Sequence, residues 1–203
     1  METLSQIASE VLRFGFNDSP QINEARIISW INEAQRQIAR HVGAPEFQEK
    51  AEQVLTVGTF EYAEPSECLH ILDIAYPAGE RRIKPVDLQT FDTYSVSELQ
   101  GSPLIYTAFK GKIWLWPTPS AADTLKIRYI KNPPVLSAAG DIPVLDKDYL
   151  HLLVEYALFR AYRGEDDPEA AQIHETQYEK DLQKYAVDQP IDDRPRQLQG
   201  TWS

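Results

Sequence analysis

The chain has 203 residues, a formal net charge of −11, a single cysteine and ordinary apolar content. That length is enough to bury a full core in one domain, or in one domain with a subdomain. One thiol excludes an intrachain disulfide or thiolate metal cage, no apolar run is long enough to span a bilayer, and the acid excess argues against a general nucleic-acid binder.

The start, Met1-Glu2-Thr3-Leu4-Ser5, lacks the basic and apolar regions of a secretory signal. Residues 2–14 place Leu4, Ile7, Ala8, Val11, Leu12 and Phe14 at helical spacing, and Gly15 closes the pattern. A turn at Asn17-Asp18-Ser19-Pro20 precedes a second helix over about Ile22 to Val42. Ile27, Ile31, Ala34, Ile38 and Val42 form its apolar stripe, with Trp30 beside them, and Gly43 and Pro45 end it.

From about Gln53 the period changes to two. Val54–Val57, Phe60–Tyr62, Leu69–Tyr76 and Arg82–Lys84 read as short strands divided by Gly58, Pro65 and Pro77-Ala78-Gly79. Pro85–Leu88 can open a helical turn, and Ser95–Ser102 reads as a loop. Leu104–Phe109 and Lys112–Trp116 then form a hairpin about Lys110-Gly111, and Thr124–Lys131 alternates as a half-buried antiparallel strand.

The chain's organising element comes next, a helical hairpin over about Asp146 to Ala186. Its first limb carries two apolar rows, Tyr149, Leu152, Leu153, Tyr156, Ala157 and Leu150, Val154, Leu158, Ala161, so other elements must cover it on several sides. Gly164 is expected at the left-handed C-cap, Asp167 at the N-cap of the second limb and Pro168 at its first helical position. The second limb repeats Ala171, His174, Tyr178, Leu182 and Tyr185 as an amphipathic face.

Two helices, a run of strands and two more helices predict an α+β fold. The expected form is a four-helix bundle with an inserted small antiparallel β-sheet subdomain and an extended C-terminal arm. Its divisions are residues 1–48 and 136–186 for the bundle, 49–135 for the β insert and 187–203 for the arm. The arm has two prolines and no period, which predicts disorder in isolation. Ile191, Leu198 and Trp202 are spaced anchors along it, suited to a home on another copy or another protein.

Charge is unevenly spread. Residues 104–135 hold five bases (Lys110, Lys112, Lys126, Arg128, Lys131) against Asp123, whereas residues 136–186 hold eleven acids against five bases. Such asymmetry suits head-to-tail docking, and it also suits two ordinary solvated faces. No Gly-rich phosphate loop, HExxH, GxSxG or CxxC is present, so no catalytic, cofactor or metal residue is assigned. His151 and Glu155 stand four apart on one helix, as a structural pair, a metal fragment or a hydrolase's acid–base pair. Trp114 and Trp116 share a strand face that either stacks on bases or packs against the bundle or a neighbouring subunit.

Three segments carry a resemblance: Trp30-Ile31-Asn32-Glu33-Ala34-Gln35-Arg36-Gln37-Ile38; Leu115-Trp116-Pro117-Thr118-Pro119 with Leu125-Lys126-Ile127-Arg128-Tyr129; and Ile142-Pro143 leading to Tyr149 and Glu155-Tyr156-Ala157-Leu158-Phe159-Arg160-Ala161-Tyr162. Over about residues 20–186 the chain resembles tailed-bacteriophage head–tail adaptor (connector or head-completion) proteins. The resemblance implies a structural virion protein at the neck, made in the host cytoplasm, without enzymatic activity or cofactor. It implies a ring, usually dodecameric, under the portal protein, through whose channel the genomic DNA passes without specific binding and on which the tail or next neck protein docks. On that reading Ile191, Leu198 and Trp202 anchor a portal-binding arm, and Arg194 and Arg196 pair with acidic portal residues. Lys110, Lys112, Lys126 and Arg128 form a tail-facing or inter-subunit patch. The alternatives are another neck or tail-completion (stopper) ring, a nucleic-acid-binding module resting on Trp114 and Trp116, and a hydrolase resting on His151 and Glu155.

Overall fold

A computed structural model describes residues 2–17, 19–76, 81–94 and 99–188. These residues cluster into two compact units, one from 2–47 and 132–188 and the other Gln48–Lys131.

The first unit is helical. Thr3 caps α1 (Leu4–Arg13), its hydroxyl accepting from Gln6 N–H while Gln6 Oε1 accepts from Thr3 N–H at 2.8 Å. Leu4, Ile7, Ala8 and Val11 are its buried side. Asn23 caps α2 (Glu24–Val42), and Gly43 stops it at φ 63°, a left-handed position that costs glycine nothing. The third helix of this unit, α4 (His151–Gly164), buries Leu152, Leu153, Val154, Tyr156, Ala157, Leu158, Phe159 and Ala161. It packs against α1, α2 and α5 (Pro168–Asp188), which is how an apolar circumference is covered on several sides.

Two local expectations shift. Lys147–Tyr149 make a single 3-10 turn capped by Asp146, and α4 begins only at His151. Gly164 is the last residue of α4, and Asp166, at φ 58°, takes the left-handed position beyond it. Asp167 then caps α5, its Oδ1 accepting from Ala170 N–H at 3.0 Å.

The second unit is a seven-stranded sheet in the order β1-β9-β3-β4-β6-β7-β2. Its strands are β1 (Gln48–Val54), β2 (Glu61–Ala63), β3 (Cys68–Tyr76), β4 (Arg81–Pro85), β6 (Ile105–Phe109), β7 (Lys112–Trp116) and β9 (Thr124–Lys131). Neighbours are antiparallel except β4 and β6, which run parallel. Parallel neighbours need a crossover connection, and this one contains α3 (Leu88–Asp92), capped by Asp87. The short strands β5 (Gln100–Gly101) and β8 (Thr118–Pro119) pair separately. Leu55, Tyr62, Ile71, Ile74, Tyr76, Ile83, Tyr106, Ile113, Leu115, Leu125, Ile127 and Tyr129 form one buried cluster.

These findings overturn the expected fold class. The fold is mixed α+β, but it is not a four-helix bundle with a small antiparallel insert. Five α-helices are present among the described residues, and the sheet is large, mixed and built on a core of its own. The expectation placed its first strand at Val54–Val57 and missed β1, an exposed edge. Its sequence Gln48-Glu49-Lys50-Ala51-Glu52-Gln53-Val54 has no apolar alternation to reveal it.

Candidate functional site

The basic residues singled out in the sequence fall on two separate stations of the sheet. Lys126 and Arg128 sit two apart on β9, so they share one face. Register sets Lys126 between Glu52 on β1 and Ala75 on β3, and Arg128 between Lys50 and Asp73. Arg128 donates to Asp73 Oδ2 from Nε at 3.0 Å and from Nη2 at 2.7 Å, so its charge is answered inside the sheet.

Lys110 and Lys112 belong to the β6–β7 hairpin, and β3, β4 and β6 stand between that strand β7 and β9. Lys110 and Gly111 make the turn at positive φ, 49° and 74°, and Lys110 Nζ lies 5.2 Å from the centre of the Phe109 ring. Lys112 Nζ meets Glu61 Oε1 at 3.1 Å, and Trp114 Nε1 donates to Glu61 Oε2 at 3.0 Å. These two donors, Lys112 first, hold the Glu61 carboxyl below its ordinary range.

Trp114 is ringed by Phe60, Phe91 and Phe109, at centroid distances of 6.1, 6.1 and 5.5 Å. Trp116 lies 4.4 Å from Tyr94. Aromatic residues of the same unit, α3 included, therefore occupy a face expected to meet the bundle, a neighbour or nucleic-acid bases.

On the helical unit, His151 and Glu155 do not pair with each other. His174 Nδ1 meets Glu155 Oε2 at 2.8 Å, and His151 Nε2 lies 3.4 Å from Asp181 Oδ2. Both are ties between α4 and α5. The His174 ring also stacks on Tyr162 at 5.3 Å and meets Phe14 edge-on at 6.1 Å. Among the described residues no group of three or more His, Cys, Asp or Glu is placed to hold a metal ion. Burial pushes the Cys68 thiol up to about 11, with the charge of Glu64 adding to it, which makes it a poor nucleophile.

The C-terminal end of α5 carries a clasp that sequence reasoning missed. The Tyr185 hydroxyl donates to Glu46 Oε1, which also accepts from Asp146 N–H at 3.2 Å. The Tyr149 hydroxyl donates to Asp188, and the Tyr149 and Tyr185 rings lie 4.1 Å apart. Helical spacing marked both tyrosines as buried-face residues, and nothing in it pointed to acids 39 and 139 positions away. Asp188 is thus held at the point from which residues 189–203 depart. Ile191, Arg194, Arg196, Leu198 and Trp202 themselves lie outside the described residues.

No helix here is long and apolar enough to cross a membrane among the described residues. Residues 2–201 match the model of a family described as SU10 adaptor protein. No curated protein matches the chain significantly.

Proposed function

The chain belongs to the SU10 adaptor protein family, in keeping with the head–tail adaptor resemblance, and from that premise we propose that its copies form a ring, dodecameric like those the resemblance implies, between portal and tail. Membership makes it a structural adaptor of a bacteriophage, with a place in the virion. A match from residue 2 to residue 201 supports this reading, because it takes in both units.

The ring extends the DNA channel. A chain with a net charge of −11 gives such a channel a wall that repels phosphate, so the duplex slides without sticking. The portal is gripped by the arm, with Ile191, Leu198 and Trp202 as anchors and Arg194 and Arg196 paired to acidic portal residues. The tail or next neck protein meets the β unit through Lys110, Lys112, Lys126 and Arg128, or a neighbouring subunit does. Lys110 and Lys126 carry most of that contact, since Arg128 and Lys112 already hold Asp73 and Glu61.

Deleting residues 189–203 tests the arm while sparing Asp188 and its tie to Tyr149. The truncated chain is expected to keep its helix and sheet content and to lose co-sedimentation with portal-bearing heads. Attachment at the full-length level would overturn the arm's role. Electron microscopy of the virion with no ring of this protein between portal and tail would overturn the adaptor reading itself.

A further inference from the structure

We propose that β1 is a self-pairing edge, by which two copies of the free chain join their sheets antiparallel about Ala51. β1 is the outermost strand, with β9 on one side and no strand on the other among the described residues. The backbone settles which groups face outward. Leu55 N–H donates to the Asp123 carbonyl at 2.7 Å, continuing the register that pairs Val54 with Thr124. By alternation Gln53, Ala51 and Glu49 turn their backbone groups toward β9, and Glu52 and Lys50 turn theirs away.

An edge strand is ordinarily blunted by charged side chains that repel a partner, by proline, by a bulge or by a covering element. β1 has no proline, and its register with β9 runs without a shift. Its charges instead mirror one another about Ala51. Three dyads bring the outward-facing groups of two copies into register near the middle of the strand. One centred on Lys50 opposes two ammonium groups, and one centred on Glu52 opposes two carboxylates. The dyad centred on Ala51 sets Lys50 of each copy against Glu52 of the other, with backbone bonds exchanged at both pairs. Opposite charges directly across a ladder stabilise it and like charges destabilise it, so charge alone selects this register. Ala51 then meets its own copy at the non-hydrogen-bonded position, where side chains approach most closely and a methyl fits best.

Both partners are available. Lys50 and Glu52 are exposed and hold no ion pair among the described residues. Glu52 stands opposite Lys126 on its own sheet, while Lys50 stands opposite Arg128, whose acid Asp73 lies on β3, so a second copy's Glu52 gives Lys50 a carboxylate that its own neighbour across β9 does not. The contact is isologous and closes at two copies. It therefore belongs to the free chain, covers the β1 edge there, and parts before any ring forms.

Sedimentation equilibrium of the full chain at micromolar concentrations tests the proposal. The unaltered chain is expected to dimerise. Lys50→Glu and Glu52→Lys, each of which opposes like charges twice, are expected to weaken the dimer by roughly tenfold or more. The double variant K50E/E52K swaps the charges and is expected to restore it. A monomer at every concentration, or a dimer indifferent to both single variants, would overturn the proposal. Hydrogen exchange on the unaltered chain guards against a variant that fails to fold. The Lys50 and Glu52 amides are expected to slow as concentration rises, and concentration-independent exchange there would overturn the pairing equally.

Discussion

Asn32 on α2 and Leu136 on the segment returning from the sheet exchange two hydrogen bonds: Asn32 Nδ2 donates to the Leu136 carbonyl at 2.9 Å, and Leu136 N–H donates to Asn32 Oδ1 at 2.8 Å. A side-chain amide thus does what a β-ladder partner would do for a stretch of chain that has none. Gln35, almost wholly buried, repeats the device one turn later by accepting from Val144 N–H at 2.8 Å. Asn32→Ala leaves both Leu136 groups without protein partners and is expected to cost about 2–3 kcal/mol. Guanidinium unfolding followed by the helical circular-dichroism signal reads this loss, and a change below about 0.5 kcal/mol would show that water replaces the amide.

The clasp at the end of α5 predicts an alkaline instability. Tyr185 is fully buried, and burial first and Glu46 second push its hydroxyl far above the ordinary value of 10. A raised pKa in the folded state means that its contribution is complete below about pH 10 and falls as the unfolded chain begins to ionise above that value. Tyr185→Phe is expected to cost about 1–2 kcal/mol at neutral pH and to flatten the loss of stability above pH 10. An unchanged slope of unfolding free energy against pH would contradict this assignment.

What was legible in the sequence and what was not divide along one physical line. Elements that bury one face wrote a period into the chain: the stripe Ile27, Ile31, Ala34, Ile38 named α2, and the alternation of Thr124–Lys131 named β9. Edge strand β1 buries little and wrote none, so it was missed, and alternation does not tell a parallel pair such as β4 and β6 from an antiparallel one. Polar partners far apart in sequence were equally silent. Asn32, Glu33, Gln35 and Gln37 lie outside the apolar stripe that named α2, yet Asn32 and Gln35 hold the 134–144 segment, Gln37 reaches Tyr156 at 2.9 Å and Glu33 reaches Arg160 at 3.1 Å. Spacing along one helix set His151 beside Glu155, whereas each finds its partner on α5, because i, i+4 proximity says nothing about the helix packed alongside. The residues read as arm and patch came from charge and resemblance, which name candidates without placing their partners.

Cys68 offers a chemical check on the packing of the β unit. Its thiol is raised from an ordinary value of 9 to about 11 by burial and by Glu64, which at pH 8 leaves the folded chain with far less thiolate than the unfolded one. A more basic thiolate is a better nucleophile, so part of that deficit is recovered. Native Cys68 is therefore expected to react with iodoacetamide at least roughly tenfold more slowly than in the denatured chain. Its rate should keep climbing to about pH 11. A plateau near pH 9 would mean that the thiol sees water rather than protein.

The two ties between α4 and α5 look alike on paper but differ in surroundings. The His174 and Glu155 side chains are only 17% and 22% exposed, and the imidazole is sandwiched beside Tyr162. His151 is 48% exposed and lies farther from its partner, at 3.4 Å against 2.8 Å. Solvent screens an exposed pair, and fixing a mobile side chain in one geometry cancels much of what remains. Double-mutant cycles through alanine are expected to return a coupling of about 1 kcal/mol for His174 with Glu155 and below about 0.5 kcal/mol for His151 with Asp181. The loss from His174→Ala alone should exceed the coupling, because the ring also packs on Phe14 and Tyr162. The reverse order of couplings would mean that charge rather than desolvated geometry holds the hairpin closed, and raising the salt concentration from 0.05 to about 0.5 M would then loosen it through His151 first.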